Sequence, residues 1–80
     1  MFPLVETVYN GFMKLTVEIE QESDGRWLAE VPELPGAMAY GPTRERAIAS
    51  VEALALRVLA ERLDNGESVP QIPVLFSIAA

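Results

Sequence analysis

Eighty residues leave room for one domain with one core, and the absence of both cysteine and histidine excludes a disulfide framework and every Ser-His-Asp or Cys-His catalytic set. Twelve acidic against six basic residues give a formal charge of -6, which repels a nucleic-acid backbone and attracts a basic protein. Half of the residues are hydrophobic, so the chain folds, and a domain this small without metal or disulfide staples is expected to gain stability by self-association.

At the N-terminus, Met1-Phe2-Pro3-Leu4-Val5-Glu6 lacks the basic start of a secretory leader, and nowhere do about 20 apolar residues follow one another. A soluble, cytoplasmic protein is expected. Residues 1–12 stand apart as an N-terminal arm. Asn10-Gly11 is a strong hairpin signal, yet the strand it would join already has two neighbours in the sheet described next. Three roles for the arm stay open: a mobile extension, a strand added to another subunit, or sequence ahead of a start at Met13.

The domain proper, 13–80, begins with alternation from Lys14 to Glu22, where Leu15, Val17 and Ile19 share one face and Thr16, Glu18 and Glu20 the other. Ser23-Asp24-Gly25 turns this strand into a second, in which Trp27, Ala29 and Val31 oppose Leu28 and Glu30. Pro32-Glu33-Leu34-Pro35-Gly36 ends the ladder, because neither proline donates a backbone hydrogen bond, and Pro-Gly suits the centre of a type II turn. Ala37 to Tyr40 is a third strand, stopped by Gly41-Pro42.

Thr43 is the expected N-cap of a helix running to Asp64, with Glu45 complementing the positive end of its dipole. At 100° per residue, Ala47, Ile48, Val51, Leu54, Ala55, Val58 and Leu59 form one face. Leu56 and Leu63 widen that apolar arc beyond what one sheet face covers, and are assigned to the last strand or to an oligomer interface. Asn65-Gly66 closes the helix with a left-handed residue. Pro73 to Ile78 then reads as a fourth strand buried on both faces. The predicted class is α+β, in the order β-β-β-α-β. The long helix crosses one face so that the last strand lies parallel to the first, in sheet order 3-2-1-4.

From Lys14 to Gly66, about two thirds of the chain, the sequence resembles the HicB-like antitoxin family. The resemblance is carried by Asp24-Gly25, Ala29-Glu30-Val31-Pro32-Glu33-Leu34-Pro35-Gly36, Gly41-Pro42-Thr43 and Ala47. It implies a partial ribonuclease-H-like fold and an antitoxin that binds and masks a small basic ribonuclease toxin of the HicA type. Members of that family commonly carry a C-terminal DNA-binding segment. This sequence ends directly after its fourth predicted strand, so direct operator binding is not expected. The residues assigned to partner binding are Glu30, Glu33, Leu34 and Tyr40, although a structural turn accounts for the Pro32–Gly36 corner without a partner. Trp27 is expected in the core, whereas the phenol of Tyr40 calls for a polar or wet neighbour.

Two rival functions are defined by the same residues. One is an orphan homo-oligomeric interaction domain with no toxin. The other is a residual metal-dependent nuclease using Glu18 and Glu20, which needs further acids converging on one ion. A solvated strand face is the favoured reading of those two glutamates, and Arg44, Arg46 and Arg57 read as an ordinary helix surface rather than a phosphate site. No enzymatic activity and no cofactor are expected.

Overall fold

In the computed structural model, residues 15–79 are described; the arm at 1–12 lies outside them. Three strands, β1 (Glu18–Gln21), β2 (Trp27–Glu30) and β3 (Met38–Gly41), form an antiparallel sheet in the order β1-β2-β3, and a long helix, α1 (Arg44–Asp64), lies across one face. The α+β class and the first four predicted elements are present.

Each junction follows from local chemistry. In the β1–β2 turn, Gly25 adopts φ of 92°, and the Asp24 carboxylate accepts from the Arg26 amide at 3.0 Å and from Arg26 Nε at 2.7 Å. The proline-rich corner is two consecutive turns. Leu34 N donates to Val31 O at 3.0 Å around Pro32-Glu33, and Ala37 N donates to Leu34 O at 2.9 Å around Pro35-Gly36, where Gly36 takes the positive φ of 89° that a type II turn demands. Val31 N to Ala37 O, 2.9 Å, closes the loop at its base.

At the start of α1 the Thr43 hydroxyl accepts from the Arg46 amide at 3.1 Å, as the sequence predicts. At its end Gly66 (φ 74°) is the left-handed residue, with Gly66 N on Leu63 O and Glu67 N on Arg62 O, the paired bonds of a Schellman motif.

The core lies between the helix and the inner sheet face. Ala29, Val31, Leu34, Ala37, Ala47, Val51, Ala55, Leu59 and Val69 are buried, with Leu15, Val17, Ile19, Trp27, Ala39, Leu54 and Val58 packed around them. Gly41 is the tightest point. It pairs with Trp27 across β2 and β3, and its bare Cα lets the first turn of α1 press backbone against backbone at Ala47.

The fourth predicted strand is corrected. Ile72–Leu75 is instead a single helical turn, α2, closed by Phe76 N donating to Ile72 O at 3.0 Å. Pro73 fits the first turn of a helix, where its missing N–H costs nothing, and it would withhold a donor from a ladder. Beyond it Phe76 and Ile78 are exposed, Ile78 at 94%, rather than buried on both faces. Among the described residues the sheet therefore has three strands. Neither the 3-2-1-4 order nor the ribonuclease-H-like outline, which both require a fourth strand beside β1, is formed.

Candidate functional site

Because strand side chains alternate, covering one sheet face with α1 presents the other as a unit. The register aligns Glu18, Glu30 and Met38 in one cross-strand row and Glu20, Leu28 and Tyr40 in the next. Among the described elements, only α1 packs on the sheet, from the opposite face. Leu28 is half-buried, Met38 and Tyr40 are about half exposed, and together they make an apolar strip on β2 and β3 bordered by three carboxylates on the β1 side. Glu18 stands directly opposite Glu30, a like-charge pairing that costs the isolated sheet and that an incoming cation would relieve.

Among the described residues, one cation, Arg26, frames the far end. Its guanidinium carbon sits 4.4 Å from the centre of the Tyr40 ring while Nε bonds Asp24, and the tyrosine stays about half exposed. The pairing lowers the Asp24 carboxyl below its ordinary value, through the Arg26 amide first and the Arg26 side chain second. The arrangement offers an aromatic platform, a flat apolar strip and an acidic margin. It suits docking of a surface that carries lysine or arginine among apolar groups.

The sequence-assigned partner residues separate into two sets. Glu30 and Tyr40 come together on this outer face. Glu33 and Leu34 do not join them. Leu34 is 2% exposed and belongs to the core, and Glu33 ties the corner to the strand leading into β1, its carboxylate accepting from Thr16 N at 3.0 Å and Thr16 Oγ1 at 2.7 Å. Burial alone would raise the Glu33 carboxyl, but these two hydrogen bonds outweigh it and hold the group below the usual glutamate value. Met38, Leu28, Glu18 and Arg26 were missed as site residues. The signal was the alternation itself: residues of even number from 18 to 30 share the face with Glu30, and the short β3 turns Met38 and Tyr40 to the same side.

Glu18 and Glu20 share this face, yet among the described residues no three acidic groups gather closely enough to hold a metal ion. No helix among the described residues is long and apolar enough to cross a membrane.

The fold and the face define a small α+β domain whose acidic and aromatic sheet surface no described helix or strand covers. The chain is 35% identical over 60 residues, 74% of its own length and 86% of the relative's, to UPF0150 protein Ta0767 of Thermoplasma acidophilum. It belongs to the UPF0150 family. No family model matches the chain. No solved structure matches it either.

Proposed function

We propose that this chain is an antitoxin-like binding domain that neutralises a small basic ribonuclease of the HicA type in the cytoplasm, by laying the outer sheet face over it. The reading rests on the HicB-like sequence resemblance and the UPF0150 family, together with one structural observation: the rows of Glu18, Glu30 and Met38 and of Glu20, Leu28 and Tyr40, which no described helix or strand covers. Masking is steric and electrostatic. A basic nuclease surface evolved to hold phosphates would find carboxylates in their place, and Tyr40 would fill an apolar gap between its cations. The domain itself performs no chemistry in this scheme and uses no cofactor.

Co-expression with the product of the neighbouring gene tests it, read out by co-purification and relief of growth arrest. Glu30→Arg and Tyr40→Ala, both on the outer face, should weaken the complex at least tenfold while the circular dichroism shows both variants folded. Retained binding in both variants would remove the sheet face from the proposal. Absence of any co-purifying basic protein, with no growth arrest to relieve, would instead favour the orphan self-associating domain.

A further inference from the structure

On the side of α1 facing away from the sheet, Ala49, Ala53, Leu56, Ala60 and Leu63 are all exposed, Leu56 at 59% and Leu63 at 45%. Their spacing is four, three, four, three. This is the repeat with which one helix packs along another, and it runs opposite the seam of Ala47, Val51, Ala55 and Leu59 that α1 uses for its own core. The fourth strand that might have covered the two leucines is not formed, and Ile72 of α2 packs against the core while Leu56 and Leu63 stay exposed.

We infer that this seam is the contact with a second copy of the chain, the two α1 helices lying parallel and in register. The charges flanking the seam decide the occupant and the direction. Glu52 and Arg57 border it on opposite sides, five positions apart, and among the described residues neither is in an ion pair. In a parallel pair that offset sets Glu52 of each copy against Arg57 of the other, twice by symmetry. An antiparallel pair centred on Leu56 would bring Arg57 against its own copy across the two-fold axis. Thin alanine layers at 49, 53 and 60 let the helix axes approach toward the close end of the usual range of about 8–10 Å. The seam spans most of a helix that is about 31 Å long at 1.5 Å per residue. The resulting dimer places its two acidic sheet faces outermost, so self-association and the docking face do not compete.

Sedimentation equilibrium on the full chain from micromolar to millimolar concentration is expected to show a reversible monomer–dimer equilibrium. Leu56→Glu and Leu63→Glu, at positions already in water in the monomer, should leave the circular dichroism unchanged and abolish the dimer. Glu52→Arg and Arg57→Glu should each weaken it roughly tenfold, because two attractions become two repulsions. The doubly exchanged protein should recover the wild-type constant. A wild-type chain monomeric at 1 mM (on the order of the weakest useful affinities), or a dimer indifferent to Leu56→Glu, overturns the seam. Loss of the dimer in Leu56→Glu without recovery in the double exchange overturns the parallel register. Toxin binding enters neither readout, so this test stands or fails apart from the antitoxin reading.

Discussion

Replacing Gly41 by alanine isolates the contact that locks helix to sheet. A Cβ there would lie 2.5 Å from the Ala47 amide nitrogen, 2.9 Å from Ala47 Cα and 3.0 Å from the Arg46 carbonyl carbon. All three are backbone atoms, so no rotamer change relieves them, and ordinary contact at 3.4 Å requires the first turn of α1 to retreat by 0.9 Å (3.4 minus 2.5). That retreat opposes both the Thr43 cap and the packing of Ala47, which is wholly buried. Overpacking of this kind costs about 3 kcal/mol, the upper end of the usual range. Against a total of roughly 4–12 kcal/mol for a domain of this length, the loss is large. At about 4–8 °C per kcal/mol, the melting temperature should fall by roughly 12–24 °C, followed by circular dichroism and by the fluorescence of Trp27, which pairs with position 41. Gly25→Ala is the control. Its φ of 92° strains an alanine, but no atom lies within 4 Å, so only the backbone penalty of about 1–2 kcal/mol applies. A Gly41→Ala midpoint equal to or above that of Gly25→Ala would refute the close-packing argument.

Glu33→Gln should lose about 1–2 kcal/mol at neutral pH, because an amide replaces a charged acceptor of two hydrogen bonds from Thr16. Since the folded-state value of Glu33 is lowered, its contribution is complete above the ordinary value of 4.5 and fades as pH falls through the lowered one. Urea titrations below pH 4.5 should therefore show a shallower loss in the glutamine variant than in the wild type, and identical slopes would contradict this. Thr43→Ala should cost about 1 kcal/mol by removing the cap on the Arg46 amide, measured in the same denaturation series. Ile78→Ser discriminates the observed C-terminal segment from a buried strand. At 94% exposure the change should stay within about 0.5 kcal/mol, whereas a central strand residue would lose several times more.

Sequence periodicity was sufficient wherever a local rule and a core-facing pattern agreed. Alternation from Lys14 to Glu30 placed Ile19, Trp27 and Ala29 inward, and Pro35-Gly36 required a turn with one positive φ. Thr43 and Gly66 bounded the helix, because capping depends on atoms within a few residues of each other. Tertiary contact decided the rest. The apolar run from Pro73 to Ile78 carries no periodicity that separates a buried strand from a helical turn and an exposed tail, so its conformation was not legible in the pattern alone. Glu33 and Leu34 look alike as tips of a proline loop, yet folding the corner back over Thr16 buried one in the core and fastened the other to the strand leading into β1. The outer face shows the same division. Which residues share a face follows from alternation alone, but that Glu18 meets Glu30 and that Leu28 meets Tyr40 depends on register, which only the assembled sheet sets.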